Sequence, residues 1–255
     1  MLTFLEAGEG SMETISREKF ALVVPTLNEA GNIERLLEKV QKVLDPQQRP
    51  YEVIVVDDGS SDGTPELVLQ YSERDSRVRL LSRLHERGLA GAVLQGWNHS
   101  DAVLLGVIDA DLQHPPDVLA GLLEAMDEGN DIAIASRYVA KDGVAGWNPI
   151  RIAISRASTL ATLPFQRKNV RVKDPMSGFF IVRREAIDGL EFETKGFKLL
   201  LEILVRGRVL SAKEVPFHFG TRHAGKSKAS ASVAFHYLHL LGKLSRDLLL
   251  RPTPQ

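Results

Sequence analysis

Short apolar runs rich in valine, isoleucine and leucine recur along the first half of the chain and predict buried strands. Helical patterns separate them; in the first, apolar residues recur at i, i+3, i+4 and i+7 from Ile33 to Leu44. Apolar strands that alternate with helices predict an α/β fold, in which a mostly parallel sheet has helices on both faces. Ligands of such sheets bind beyond the carboxyl ends of the strands. The predicted strands are FALVVPTL (20–27), YEVIVVDDG (51–59), VRLLS (78–82), AVLLGVIDAD (102–111) and DIAIASRY (131–138).

After about residue 140 the pattern changes, but no linker separates a second domain. A helix is predicted over 149–164. The later elements are a strand with a short helix (174–187), a helix (196–207), a last strand (210–219) and an amphipathic helix (about 230–250). We therefore expect an N-terminal tail over 1–18, one α/β domain over 19–228 and an amphipathic C-terminal helix over 229–255.

Composition excludes several classes of protein. The 255 residues include no cysteine, which excludes disulfides and thiolate metal sites and is typical of a reducing compartment such as the cytoplasm. The formal net charge is −1, so no overall positive field attracts nucleic acid, and we expect no such partner. Residues 1–18 are acidic and lack the basic stretch and apolar core of a signal peptide.

Polar and acidic side chains follow three of the predicted strands. The segments are PTLNE (25–29), DDGSSDGT (57–64) and DADLQ (109–113). Because the carboxyl ends of parallel strands meet at one edge, we expect these side chains to converge. Like charges packed together are costly unless a cation or a donor-rich ligand lies among them. The pattern therefore indicates a binding site.

The third segment offers only oxygen ligands, from Asp109, Asp111 and Gln113. Oxygen ligands suit Mg²⁺ or Mn²⁺, and such ions keep positions for water and substrate phosphates. A diphosphate ligand fits this arrangement. In the alternative interpretation, the aspartates of 57–64 form turns in a loop rich in glycine and serine, and those of 109–113 cap the next helix.

GTRHAGKS (220–227) matches the phosphate-binding loop G-x-x-x-x-G-K-[ST]. Such a loop opens a nucleotide-binding domain that needs further strands downstream. Fewer than about thirty residues follow it here and none shows a strand pattern, so we reject an ATPase. The segment is better interpreted as a basic loop that closes over a phosphate, or as a solvated run of charge.

Several motifs in this order and approximate spacing resemble the inverting glycosyltransferases of family 2, and among them the polyprenyl-phosphate (dolichyl-phosphate) mannose synthases. The resemblance covers about residues 20 to 228 and implies the GT-A fold, a Rossmann-like α/β architecture. The motifs are VVPTLNEAGNI (23–33), EVIVVDDGSSDGT (52–64), DADLQHPP (109–116), ASRY (135–138), ISR (154–156), DPMSGFF (174–180) and RHAGKSK (222–228).

The resemblance also implies roles for individual residues, with Asp111 and Arg137 as the catalytic ones. The nucleoside pocket would be lined by Pro25, Leu27, Glu29, Val56 and Asp58. The ion and the diphosphate would contact Asp109, Ala110, Asp111 and Gln113, and phosphates would be held by Arg137, Arg222 and Lys228.

A phosphate acceptor would need no general base, because a phosphate monoester is largely dianionic at neutral pH. It needs a cationic cradle instead. Arg151 and Ser155 lie at i and i+4 on one face of the helix 149–164, and Arg137 follows a strand. Alternatively, Arg151 and Arg156 are surface charges of an amphipathic helix.

The favoured function is transfer of a hexose, mannose from GDP-mannose, to a polyprenyl phosphate lipid. Alternatives are UDP-glucose or another nucleotide sugar as donor, a saccharide hydroxyl as acceptor, or a noncatalytic protein that binds nucleotide sugar or lipid.

The apolar stretch 232–250 is interrupted by charges and falls short of the span of about 20 residues that crosses a bilayer. Its apolar stripe packs on the domain or lies in the membrane interface, where Trp147 and the apolar side of 149–164 are further candidates. We expect peripheral contact with the cytoplasmic face of a membrane.

Overall fold

The computed structural model of the protein describes residues 17–84, 88–141, 143–144, 147, 149–192, 198–220 and 242. In these residues, seven strands form one sheet and seven α-helices accompany it. The strands are β1 (Phe20–Thr26), β2 (Tyr51–Asp57), β3 (Val78–Ser82), β4 (Leu104–Val107), β5 (Ile132–Ser136), β6 (Phe180–Arg183) and β7 (Ala212–Pro216). The helices are α1 (Ile33–Leu44), α2 (Thr64–Arg74), α3 (Leu89–Asn98), α4 (Val118–Asp127), α5 (Pro149–Leu160), α6 (Arg184–Ile187) and α7 (Leu199–Arg206). Two short 3₁₀ helices occupy Asp45–Gln47 and Lys168–Val170.

The sheet has the strand order β3-β2-β1-β4-β6-β5-β7. All neighbouring strands are parallel except at β6, which is antiparallel to both β4 and β5. The prediction of a mostly parallel sheet with helices on both faces is confirmed. The reversed β6 places its amino end, rather than its carboxyl end, at the edge where the other strands finish.

Two apolar layers cover the sheet, one on each face. In β1, Phe20, Leu22 and Val24 face the layer that holds α1 and α4, while Ala21 and Val23 face the layer that holds α3 and α7. Successive strand residues point to opposite faces, so a strand covered on both sides must be apolar at every position. This explains the uninterrupted apolar runs of the sequence.

Several elements are shorter than predicted, β4 and α5 among them. The strand expected over 102–111 ends at Val107, although Ile108 and Ala110 beyond it are buried. Apolar residues at these positions therefore indicate that the segment is buried, and not that it forms a strand. The helix expected over 149–164 ends at Leu160, and turns follow. Pro164 explains this end, because proline lacks an N–H and disfavours the helical conformation in the preceding residue.

No helix within the described part of the chain is both long enough and apolar enough to span a bilayer. The predicted tail lies outside the described residues as far as residue 16, and so does the predicted C-terminal helix over 229–255, apart from residue 242.

Candidate active site

The topology delivers the predicted site segments to one edge of the sheet. β1, β2, β4, β5 and β7 run in the same direction, so the segments that follow them emerge together. β6 runs the other way, so the segment that precedes it, 174–179, joins them. Neighbouring strands therefore combine pieces that lie far apart in the sequence.

The loops after β1 and β2 form the predicted nucleoside side. Pro25 pairs with Val56 in the sheet. Asp58 is buried, and its carboxylate accepts hydrogen bonds from Arg83 Nη1 at 2.9 Å and from the Gly88 N–H at 2.8 Å. A buried carboxylate is stable when a cation and hydrogen bonds compensate its charge. Asp58 is thus held in one position.

Glu29 connects these two loops. Its N–H donates to the Thr64 hydroxyl at 2.9 Å, and its carboxylate accepts a hydrogen bond from the Asn32 side chain at 2.8 Å. Leu27, beside it, is half-buried. The segment that follows β1 is therefore fastened to the start of α2.

The aspartates at 57 and 62 build the loop itself. Asp57 Oδ1 accepts the N–H of Ser60 at 2.8 Å. Asp62 accepts the N–H groups of Ala30 at 3.0 Å and Thr64 at 3.1 Å. Burial opposes its charge, but the hydrogen bonds from Thr64 and Ala30 outweigh that and lower the pKa of Asp62. Both residues act as the alternative interpretation expects, as turn formers.

The DADLQ segment is a tight turn after β4. The Asp109 side chain is 33% exposed, whereas Ala110 and Asp111 are buried. Asp111 Oδ1 accepts the N–H of Gln113 at 3.0 Å. Leu112 between them has φ = 60°, a left-handed conformation that a bulky side chain rarely adopts. The turn thus fixes the Asp111 carboxylate relative to the backbone of Gln113, another of the predicted ligands.

The residues of this turn fit a divalent ion. Asp109, Asp111 and Gln113 present oxygen donors, the ligand type that Mg²⁺ and Mn²⁺ prefer. A Cβ atom at Gly178 would lie 3.1 Å from Asp109 Oδ2, so glycine keeps a side chain out of the space beside this carboxylate. Within the described residues no three His, Asp or Glu side chains cluster to hold a metal. An ion here would take its remaining ligands from water and from the diphosphate.

His114 packs behind the turn. It is buried, and ring centres of three phenylalanines lie 5.4 to 5.7 Å from its own. Burial, together with the charge of Arg137, lowers the pKa of His114 to about 3. His114 Nδ1 lies 3.5 Å from Asp109 Oδ2, but the imidazole is neutral, so this contact is not an ion pair. The three rings are those of Phe179, Phe217 and Phe219.

Arg137, after β5, is held by Asp174 from the segment before β6. Asp174 is fully buried and accepts from Arg137 Nε at 2.7 Å, from Nη2 at 2.6 Å and from its backbone N–H at 3.0 Å. The Asp174 N–H donates in turn to Glu214 of β7 at 3.0 Å. Burial works against the charge of Arg137, but the hydrogen bonds and the charge of Asp174 outweigh it and raise the pKa of Arg137.

Lys198, at the start of α7, lies in the same electrostatic environment. Burial first and the charge of Arg137 second lower the pKa of Lys198 to about 8, while the charge of Asp174 acts in the opposite direction. This corner of the site is therefore crowded with positive charge.

The residues predicted to hold the acceptor phosphate share one set of aromatic neighbours. The guanidinium carbon of Arg151 lies 3.8 Å from the centre of the Trp147 ring, and that of Arg137 lies 5.6 Å from the same ring. The Ser155 hydroxyl forms a hydrogen bond of 2.5 Å with the Tyr138 hydroxyl. Tyr138 follows Arg137 in the chain, so the fold brings Arg137, Arg151 and Ser155 into one neighbourhood.

The segment after β7 returns to the DADLQ turn. The Gly220 N–H donates to the Gln113 carbonyl at 2.9 Å, and Gln113 Nε2 donates to the Gly220 carbonyl at 3.3 Å. Arg222 and Lys228, predicted to hold phosphates, lie outside the described residues. Gly220, two residues before Arg222, is thus fixed beside the predicted metal ligands.

The sequence motifs contained several site residues to which no role was assigned. Asp174 and Gly178 are part of DPMSGFF, and His114 is part of DADLQHPP. A signal for Asp174 existed, since an aspartate that precedes an apolar strand needs a partner if it is buried. For Lys198 no local signal exists, because only the fold brings it close to Arg137.

Residues 21–190, more than half of the chain, match the family model described as glycosyl transferase family 2. The dolichol-phosphate mannosyltransferase of Pyrococcus furiosus is 40% identical over 228 residues, which are 89% of this chain and 64% of that protein. The chain therefore spans a little under two thirds of that relative. The dolichol-phosphate mannosyltransferase of Saccharomyces cerevisiae is 33% identical, with 89% of this chain and 86% of the relative covered. The polyprenol monophosphomannose synthase of Mycolicibacterium smegmatis is 32% identical, with 89% of this chain and 86% of that protein covered.

Solved structures agree with the fold. A crystal structure of glucosyl-3-phosphoglycerate synthase from Mycobacterium tuberculosis, in complex with Mn²⁺, UDP-glucose and phosphoglyceric acid, superposes with a TM-score of 0.65. The superposition covers 92% of this chain and 82% of the synthase chain, at 19% sequence identity. The bound Mn²⁺, UDP-glucose and phosphoglyceric acid are ligands of that enzyme. The predicted GT-A fold is confirmed. By the family match and by relatives that align over most of its length, the chain belongs to glycosyl transferase family 2.

Proposed function

We propose that the chain transfers mannose from GDP-mannose to a polyprenyl phosphate, with inversion at the anomeric carbon. The observation that carries this proposal is an oxygen-donor turn, Asp109–Gln113, beside a corner that presents the guanidinium groups of Arg137 and Arg151. The first suits the diphosphate of a nucleotide sugar with its ion, and the second suits an anionic acceptor. The names of the relatives at 32–40% identity support the same substrates.

On the donor side, the nucleotide would bind against the loops after β1 and β2, with its diphosphate at Asp109, Asp111 and Gln113. A bound Mg²⁺ or Mn²⁺ would supply positive charge against the diphosphate that leaves. Arg222 and Lys228 would add to it. Asp111, fixed by its hydrogen bond to the Gln113 N–H, would hold its ligand position without reorganisation.

On the acceptor side, a phosphate oxygen would attack the anomeric carbon, the new C–O bond would form, and the bond to GDP would break. A dianionic phosphate needs no deprotonation, and the surroundings agree with this. Asp174 is fully buried and bound to Arg137, and His114 is enclosed by aromatic rings, so neither is placed to deprotonate an alcohol. The described acceptor side offers the guanidinium groups of Arg137 and Arg151 to a phosphate.

The lipid would reach this corner from a membrane surface. On α5, the side chains of Ile150, Ile154 and Leu160 are 72%, 63% and 62% exposed. Exposed apolar side chains next to arginines are typical of helices that lie in the membrane interface. We propose peripheral contact at the cytoplasmic face, with α5 towards the lipid and Arg151 towards the phosphate.

The test is transfer of radiolabelled sugar into lipid that chloroform extracts. The purified chain is incubated with polyprenyl phosphate and with either GDP-mannose or UDP-glucose. We expect label in the lipid only from GDP-mannose. Label from UDP-glucose would change the donor, and label in a water-soluble saccharide would change the acceptor. Binding of the nucleotide sugar without any transfer would indicate a noncatalytic protein.

A further inference from the structure

The Trp147 ring lies close to both arginines of the proposed acceptor corner. Its ring centre is 3.8 Å from the guanidinium carbon of Arg151 and 5.6 Å from that of Arg137. The face of an indole attracts cations, and a guanidinium also stacks on it through its own planar surface. One ring therefore attracts both positive groups.

Without such a ring the two arginines would be an unfavourable pair. Like charges repel, and this corner also contains Lys198, whose pKa the charge of Arg137 lowers. Arg137 is held in place by Asp174. Arg151 is an exposed residue in the first turn of α5, and a side chain of this type loses much rotational freedom when an anion fixes it. Stacking on Trp147 orders the guanidinium beforehand.

Trp147 is itself supported from the donor side. The Phe219 ring meets it edge to face, with ring centres 5.4 Å apart and planes at 85°. The Phe219 N–H donates to the Gly143 carbonyl at 3.0 Å, and the centre of its ring lies 5.4 Å from that of His114, behind the DADLQ turn. The orientation of the indole is therefore set by contacts that reach the turn of the predicted metal ligands.

We infer that Trp147 is a positioning residue that presents Arg151 to the acceptor phosphate and sets its distance from Arg137. This inference rests on the proposed function for the identity of the acceptor. The anion is a phosphate monoester at the end of an isoprenoid chain. Trp147 acts through Arg151 and does not itself contact the reacting atoms.

The first experiment uses a short-chain isoprenyl phosphate that dissolves in water, without vesicles, so that a membrane anchor has no effect. Trp147→Leu is expected to raise KM for this acceptor about tenfold, and Trp147→Phe, which keeps a weaker aromatic face, about threefold. KM for GDP-mannose should change less than about twofold. An equal rise of both KM values would show a general structural effect and overturn the inference.

The second experiment is a double-mutant cycle with Arg151→Ala. If Trp147 acts through Arg151, adding Trp147→Leu to the Arg151→Ala variant should raise KM for the isoprenyl phosphate less than about twofold. If the KM of the double variant instead rises by the product of the two single changes, the two residues act independently. Normal KM for the soluble acceptor together with poor use of polyprenyl phosphate in vesicles would make Trp147 a membrane anchor. Either result overturns the inference.

A third measurement separates this inference from the proposed function. The chain has two tryptophans, and Trp97 is buried in the core, so a change in emission on adding isoprenyl phosphate alone reports on Trp147. We expect a saturable change whose midpoint moves about tenfold upwards in Arg151→Ala. Absence of transfer with this response intact would contradict the proposed donor, whereas absence of the response in a chain that does transfer label to the lipid would contradict the role of Trp147.

Discussion

The proposed donor side and the proposed acceptor side of the site are built in different ways. On the donor side, the carboxylates of Asp57 and Asp111 accept N–H groups only three and two residues further along the chain. On the acceptor side, the guanidinium of Arg137 donates to Asp174, 37 residues further along the chain. The backbone N–H of Asp174 donates in turn to Glu214, a further 40 residues along. The turns at Asp57 and Asp111 are therefore local, although Asp58 and Glu29 are held by residues 25 to 35 positions away. The acceptor side depends instead on an ion pair between distant segments.

The difference has a physical origin in the direction of the strands. Parallel strands place the loops that follow them at one edge, and each loop needs its own short-range hydrogen bonds to turn. The acceptor side depends on β6, whose reversal brings the segment of Asp174 to this edge from the opposite direction. A long-range ion pair then joins it to Arg137. We therefore expect substitutions in the DADLQ turn to affect chemistry with little change in stability, and substitutions in the Arg137–Asp174 pair to affect both.

The largest effect is expected for Asp111→Asn. It removes one negative charge from the predicted metal ligands and keeps the shape and the hydrogen bond to Gln113, so transfer should fall about 1,000-fold or more while the fold persists. Transfer of label into lipid and urea unfolding measure the two quantities. Asp117→Asn, which replaces an exposed carboxylate directly before α4, is the matched control and should keep its activity. Normal transfer by Asp111→Asn would contradict the metal assignment.

Removal of the ion tests the donor side without a substitution. EDTA should stop transfer, and added Mg²⁺ or Mn²⁺ should restore it, because the leaving diphosphate loses and regains its counter-charge. The metal that restores the higher rate identifies the preferred ion. Full activity in EDTA would show that the oxygen donors of the DADLQ turn serve another purpose.

Asp174→Asn should damage both activity and stability. The buried guanidinium of Arg137 loses its charge partner, and a buried ion pair broken on one side costs about 3 kcal/mol of unfolding free energy. KM for polyprenyl phosphate should also rise, since Arg137 is no longer held in place. Urea unfolding and transfer kinetics measure these effects. The control Asp188→Asn replaces an exposed carboxylate and should change stability by less than about 0.5 kcal/mol. Unchanged stability in Asp174→Asn would remove the distinction between the two sides.

Arg151→Ala should separate the two substrates. KM for the lipid phosphate is expected to rise about tenfold, because a charge-assisted contact to the phosphate is lost, while KM for GDP-mannose stays within about twofold. Arg156→Ala, which removes an exposed arginine of the same helix, is the control and should behave as wild type. Equal losses for both substrates would mean that donor and acceptor do not use separate cationic groups.

The donor side was predictable from sequence because its signals are local. The apolar runs gave the strands, and the polar residues directly after them gave Asp58, Asp109 and Asp111, since the ends of parallel strands share an edge. The extent of β4 was not predictable, because a buried turn and a buried strand are equally apolar at Ile108 and Ala110.

The acceptor side was only partly predictable. Helical periodicity placed Arg151 and Ser155 on one face, and the fold brings both near Arg137. The partner of Arg137 could not be found in the same way, because spacing along the chain does not show that β6 runs backwards. The same limit applies to Lys198, which meets Arg137 only through the packing of α7.

The smallest expected effect concerns Lys198 and the pH dependence of stability. The pKa of Lys198 is lowered from 10.5 to about 8 in the folded chain, by burial first and by the charge of Arg137 second, against Asp174. Between these pH values the unfolded chain binds more protons than the folded one, so the free energy of unfolding should rise with pH, by at most about 1.4 kcal/mol per unit. Below about pH 8 the full cost of the buried ammonium is present. Lys198→Met keeps the length of the side chain without the charge and should flatten this rise, as measured by urea unfolding from about pH 7.5 to about pH 10. Lys213→Met removes an exposed lysine that pairs with Glu128 and should keep the rise of the wild type. A rise that persists in Lys198→Met would assign it to another group and show that Lys198 is not part of the charged corner around Arg137.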